Sequence, residues 1–345
     1  YLPPVLTSSM YYRIVATSTF GCGSIPSDSV FIEVYPLLNS GIIGSAQSIC
    51  YNTVPNTLSL STNPSGGGKT YSYQWRVSTD NVTFTNVSGA TSNTYTPGLL
   101  NANRFYNLIV TSTYGCGSDT SNAIKITVYA PFVTATIGSS DSTCSGFAAD
   151  TVRTTILPTG GNGTYTYQWL SSTNGTTWSS IAGQTNNYYL PGVLSASKYY
   201  KMIATSGQSC GTDSSNSVFK TLLPKLVKAV IDSSQSICYN TLPDTLHKSG
   251  NATGADGVFT YQWQSSTNGT SWVNIAGQTG SAYLPPVLTS STYYRIMATS
   301  TFGCGSIPSD SVFIEVYPLL NSGVIGSAQS ICYNTVPNTL SLSTN

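Results

Sequence analysis

The chain has 345 residues, of which 7% are charged, 40% hydrophobic and 11% aromatic, with a formal net charge of +1 and one histidine. An ordinary soluble domain is about 25% charged, so this surface must be built from neutral polar groups. The balance excludes a basic stripe for nucleic acid and a polybasic patch for membranes; no apolar run approaches the ~18 residues of a spanning helix, and a single histidine removes most histidine-based catalysis and metal binding.

Internal repetition dominates the sequence. Tyr-Gln-Trp occurs at Tyr73–Trp75, Tyr167–Trp169 and Tyr261–Trp263, so the tryptophans stand 94 residues apart. Cys22, Cys116, Cys210 and Cys304 keep the same period, as do Cys50, Cys144, Cys238 and Cys332, and Tyr1, Tyr95, Tyr189 and Tyr283. A longer period lies on top: residues 1–63 match residues 283–345 at 60 of 63 positions, an offset of three units. The differences are Met10/Thr292, Val15/Met297 and Ile42/Val324. The period divides the chain into a C-terminal partial unit at 1–35, complete units at 36–129, 130–223 and 224–317, and an N-terminal partial unit at 318–345. Starting and stopping inside units reads as an excerpt from a longer protein.

Taken in chain order, each unit reads as all-β, with breakers every 8–12 residues and alternating segments between them. Tyr165, Tyr167 and Trp169 point one way while Thr166 and Gln168 point the other; Phe259, Tyr261 and Trp263 repeat the pattern. A second aromatic follows nine residues after each tryptophan, at Phe84, Trp178 and Trp272. Asn174–Gly175 and Asn268–Gly269 supply hairpin turns between the two. The next strand holds Tyr283. A further strand sets Tyr294, Ile296 and Ala298 on one face and Tyr293, Arg295 and Met297 on the other, and the last runs Val312, Ile314, Val316. About seven short strands per unit predict a two-sheet sandwich of immunoglobulin or fibronectin III type, with Trp75, Trp169 and Trp263 on the third strand in the core. Tyr12, Tyr106, Tyr200 and Tyr294, each six residues after a leucine, fit either a tyrosine corner or plain core packing. Lys220 falls where Ile126 and Ile314 sit, which predicts a snorkelling lysine or a register slip. Pro36, Pro131, Pro224 and Pro318 follow the last strands without a flexible linker, which predicts a semi-rigid rod.

Eight cysteines at fixed spacing, with no Cys-x-x-Cys, predict disulfides and an oxidising compartment. Spacings alternate between 28 and 66 residues. Pairing at 66 keeps each bond inside a unit, as Cys50–Cys116, Cys144–Cys210 and Cys238–Cys304, and leaves Cys22 and Cys332 with partners outside the sequence. Pairing at 28 would join neighbouring units through an awkward fold-back. The first pattern is the expectation.

No catalytic set recurs from unit to unit. His247 has no histidine at its equivalent positions, and no Gly-x-Ser-x-Gly motif or phosphate loop is present. Gly66–Gly68 and Gly160–Gly163 lead into strands and read as loops. Two polar series recur at strand starts: Asp28, Asn122, Asn216, Asp310, and Asn56, Asp150, Asp244, Asn338. The reading is non-enzymatic, with no cofactor and no metal.

Units of the form Gln-Ser-Ile-Cys-Tyr-Asn…Tyr-Gln-Trp-Gln-Ser-Ser…Ile-Ala-Gly-Gln-Thr…Tyr-Tyr-Arg…Gly-Cys-Gly, nearly complete over residues 235–305, resemble the tandem Ig-like repeats of giant secreted proteins of Bacteroidetes. That resemblance implies an extracellular, cell-surface adhesin or filament exported by type IX secretion, in some cases one that serves gliding. It also implies O-glycans at Asp-Ser/Thr followed by an apolar residue or Thr, which here marks Ser29, Ser142, Thr151, Thr245 and Ser311. The expected function is a non-catalytic stalk or filament segment. Its partners would be other domains of the same long chain, polysaccharide or abiotic surfaces at a distal tip, and sister filaments. The alternative is a carbohydrate- or surface-binding module in every unit, using outward tyrosines such as Tyr11, Tyr199 and Tyr293.

Overall fold

The computed structural model describes residues 1–344 and is all-β apart from one 3-10 turn at Gly207–Ser209. The first complete unit holds nine strands: β1 (Ile42–Ile43), β2 (Gln47–Ile49), β3 (Leu58–Thr62), β4 (Tyr71–Ser78), β5 (Thr85–Asn86), β6 (Thr94–Tyr95), β7 (Arg104–Ser112), β8 (Ser118–Thr120) and β9 (Ile124–Val128). One sheet has the order β6-β3-β1; the other runs β2-β9-β7-β4-β5, with β8 also on β7. The two later units repeat both sheets strand for strand. All pairings are antiparallel except β2 with β9, which is parallel, Ile126 opposite Gln47 and Val128 opposite Ile49. This is the two-sheet order of an immunoglobulin-like sandwich, whose first strand crosses from one sheet to the other. Residues 1–35 and 318–344 hold short hairpins equivalent to parts of such a unit.

Alternation explains the core. Along β4 the residues that face inward include Trp75, which is fully buried, as are Trp169 and Trp263. Each tryptophan meets a tyrosine of the sixth strand, and that tyrosine meets one of the seventh: Trp75–Tyr95 at 6.0 Å and Tyr95–Tyr106 at 5.8 Å between ring centroids. Trp169–Tyr189–Tyr200 and Trp263–Tyr283–Tyr294 are the counterparts. In the partial unit, Tyr12 meets Tyr1 at 6.0 Å. Tilted ring pairs at this separation are favourable. Tyr106, Tyr200 and Tyr294 thus act as core packers; no backbone carbonyl accepts from their hydroxyls among the described residues, so the tyrosine corner is not formed. Burial pushes their phenols up to about 12.

The glutamine of Tyr-Gln-Trp holds the opposite face. Gln74 Nε2 donates to the carbonyls of Trp75 and Val87, both at 2.8 Å, and Gln168 and Gln262 do the same in their units. The indole of Trp75 donates to Ser92 O at 3.0 Å, so the buried N–H is satisfied. The Asn174–Gly175 turn forms as expected: Ser172 Oγ accepts from both backbone N–H groups, and Gly175 takes φ +74°.

Lys220 neither snorkels nor shifts register. It is 2% exposed, stays opposite Lys198, and forms an ion pair with Asp141 on the neighbouring parallel strand. The other units place Gln47 and Gln235 at the position of Asp141 and fully buried Ile126 and Ile314 at that of Lys220. Both members changed together, because a core lysine needs a counter-charge within reach.

Candidate functional site: the junction between units

The conspicuous built feature of the array is where one unit meets the next. Parallel pairing sends β2 and β9 to the same end of the sandwich. Tyr129 N donates to Ile49 O at 2.9 Å, so Cys50 sits beside the point where the chain leaves the unit. The tip between β7 and β8, which carries Cys116, lies at the other end. Between those ends runs the β8–β9 segment, roughly 30 Å long at ~3.3 Å per residue.

The departing chain lies along the glycine-rich loop of the following unit. Ala130 is paired with Gly161, and a Cβ on Gly160 would fall 1.8 Å from Pro131 O. At the junction before it, Gly67 N donates to Pro36 O at 2.8 Å; at the junction after it, Ala255 N donates to Pro224 O at 2.8 Å. Gly66 and Gly254 are as tightly apposed: a Cβ added to them would fall 2.0 Å from Leu37 O and 2.1 Å from Lys225 O. Gly66, Gly160 and Gly254 all have positive φ, so close approach and backbone conformation both demand glycine. These loops, which read from sequence as plain turns, are the seats of the linkers. The signal was available: Gly66, Gly160 and Gly254 recur with the 94-residue period, and each unit is entered through a proline near the same point.

Disulfides cross the junction. Cys50 bonds Cys210 and Cys144 bonds Cys304, with Cα separations of 5.0 and 5.3 Å. Each joins the exit end of one unit to the β7–β8-type tip of the next. The expected pairs Cys50–Cys116, Cys144–Cys210 and Cys238–Cys304 are therefore corrected. Members of each such pair lie at opposite ends of one sandwich, well beyond the ~7 Å Cα limit for a bridge. Cys22, Cys116, Cys238 and Cys332 are exposed thiols.

The remaining candidates stay apart from this site. Asn122 and Asn216 tie the two sheets, Asn122 Oδ1 accepting from Ile43 N at 2.9 Å and Asn216 Oδ1 from Ile137 N at 2.8 Å. Asp310, their equivalent, instead pairs with Lys228 at 2.5 Å. Asn56 and Asp244 give their backbone N–H to Gln47 and Gln235. Ser29 and Ser311 are exposed, whereas Ser142, Thr151 and Thr245 are half-buried. His247 is exposed, 3.0 Å from Asp232. Tyr11, Tyr199 and Tyr293 stack across strands on Phe31, Phe219 and Phe313 at 4.6, 4.3 and 4.5 Å. A hollow of about 610 Å³ is lined by Tyr1, Tyr12 and Arg13 in the partial unit at 1–35. Among the described residues no three His, Cys, Asp or Glu converge as a metal group, and no helix is long and apolar enough to cross a membrane.

Repetition, strand order and junction define a tandem array of immunoglobulin-like sandwiches. The chain belongs to the family described as domain of unknown function DUF8696, matched three times, at residues 39–130, 133–224 and 227–318. No curated protein matches the sequence. Solved structures similar to the chain include Sidekick-1 immunoglobulin domains 1–5 (12% identity, TM-score 0.37, 91% of this chain and 68% of that one). The three N-terminal domains of the bacteriophage RB49 highly immunogenic outer capsid protein are similar as well (12%, 0.36, 79% and 96%). So is mouse cadherin-23 EC22–24 (10%, 0.36, 80% and 96%).

Proposed function

We propose that this chain is a non-catalytic shaft segment of a large extracellular surface adhesin or filament, one whose units are covalently stapled to their neighbours. The observation that carries the reading is that a disulfide crosses each junction between complete units. Disulfides also argue for an oxidising, extracellular setting. A shaft must transmit load without lengthening. Here the two bonds overlap in sequence, so the shortest covalent path runs to Cys50, crosses to Cys210, returns to Cys144, crosses to Cys304 and continues. That path uses less than half of the chain. Surface attachment, secretion by the type IX route, a role in gliding, and glycans at Ser29 and Ser311 belong to the same proposal; those two serines are the exposed ones among the five candidates.

Single-molecule stretching of the 345-residue chain tests it. With bonds intact, full extension stops short. Adding a reductant releases the bypassed residues, roughly 650 Å at ~3.5 Å each. Equal extension with and without reductant would remove the stapled-shaft reading.

A second reading, adhesion by every unit, draws on the outer-face pairs Lys201 over Trp178 at 4.6 Å and Arg295 over Trp272 at 4.1 Å. The tyrosines beside them are engaged by phenylalanines, which favours sheet cover over sugar stacking. Saturable polysaccharide binding by the full chain, lost in the Tyr199→Ala and Tyr293→Ala double variant, would reverse that preference.

A further inference from the structure

Four thiols remain outside the two bonds, and their positions are not arbitrary. Cys22 and Cys116 occupy the same tip position as the bonded Cys210 and Cys304. Cys238 and Cys332 occupy the same exit position as the bonded Cys50 and Cys144. Both observed bonds span 160 residues and always join an exit cysteine to the tip of the following unit. Applied to the four thiols, that stagger points outside residues 1–345 in every case.

The seat beside Cys116 is built although its bond is absent. Tyr35 of the preceding partial unit stacks on Tyr114 at the tip, with 5.1 Å between centroids. The linker rests on Gly66 and Gly67 as its counterparts do at the bonded junctions. By the stagger of the two bonds, the cysteine that reaches Cys116 is the exit cysteine of a preceding unit.

We infer that the four thiols are directional covalent docking points for another unit of the same repeat: Cys238 and Cys332 are donors, and Cys22 and Cys116 are acceptors. In the purified chain a second copy supplies that unit. The two donors are 94 residues apart and so are the two acceptors, so one head-to-tail encounter presents both pairs together. Bond formation removes two electrons and two protons, which a disulfide oxidant must take up. With oxidised glutathione, a donor thiolate attacks one glutathione sulfur and releases one glutathione. The acceptor thiolate then attacks the protein sulfur of the mixed disulfide and releases the second. The inference rests on the stapled-array reading but not on any mechanical role.

Two variants of the full chain test it. Cys22→Ser with Cys116→Ser leaves donors only; Cys238→Ser with Cys332→Ser leaves acceptors only. All four side chains are exposed and unbonded, so the complete units keep their cores, which tryptophan fluorescence verifies. In a glutathione redox buffer each variant alone stays monomeric on non-reducing gels. Mixed together they give covalent dimers, and peptide mapping finds only donor–acceptor links. Donor–donor or acceptor–acceptor dimers in the single samples, or no dimer from folded mixed samples, overturns the inference. Stretching behaviour of the monomer is unaffected by either result, so the two proposals fail separately.

Discussion

Cys50 and Cys210 are 160 residues apart in sequence and belong to different units, yet their Cα atoms are 5.0 Å apart. Their meeting follows from one local fact, the parallel pairing of β2 with β9, which delivers Cys50 to the exit of its own sandwich. The following unit folds its β7–β8-type tip back over the same junction, where a Cβ on Gly161 would lie 3.5 Å from that of Cys210.

Because no bond lies within a unit, reduction should loosen the array without unfolding it. Dithiothreitol is expected to leave Trp75, Trp169 and Trp263 buried by fluorescence while broadening the distance distribution in small-angle scattering. Loss of the tryptophan signal on reduction alone would contradict the junction assignment.

The Lys220–Asp141 pair makes a second prediction. Asp141→Gln leaves an unpaired cation in the core and should destabilise the second complete unit by about 3–5 kcal/mol. Adding Lys220→Ile recreates the combination found in the other units. The double variant should regain or exceed the parent's stability. Urea denaturation followed through Trp169 measures both, and additive losses would show that the two side chains do not act as a pair.

Gly160→Ala attacks the seat of a linker. The new Cβ would meet Pro131 O at 1.8 Å in a backbone with φ +73°. The neighbouring units should tilt or part while each core persists. Limited proteolysis is expected to cut within residues 129–133 faster in the variant than in the parent.

Alkaline pH should destabilise every complete unit. Tyr106, Tyr200 and Tyr294 ionise near 10 when unfolded and about 12 when folded, because burial penalises the phenolate. The folded state therefore holds more protons between those values. Stability from this source is full below pH 10 and is lost as pH rises towards 12. With thiols alkylated beforehand, urea midpoints should fall across that window, and Tyr106→Phe should flatten the fall for the first complete unit.

Gln74, Gln168 and Gln262 bridge two carbonyls each, so Gln168→Leu should cost about 1–3 kcal/mol by leaving the Ile181 carbonyl without its side-chain donor. Denaturation monitored at Trp169 reads the loss. An unchanged midpoint would reduce this glutamine to surface cover.

Much of the protein is legible in one dimension. The 94-residue period, the strand pattern and the tryptophan on the third long segment follow from local alternation and turn chemistry, which neighbouring residues carry between them. Tyr165, Tyr167 and Trp169 show their inward face without any knowledge of what lies opposite. The cysteines do not behave that way. Their spacing favours a bond inside each unit, but which end of the sandwich each occupies is set by a parallel pair between the second and last strands, and then by how one unit stacks on the next. Lys220 is the same case: sequence marks it as misplaced, and only a strand 79 residues earlier supplies the carboxylate that allows its burial. Periodicity encodes what a residue does within its own strand, whereas pairing across strands and across units is decided where distant segments come into contact.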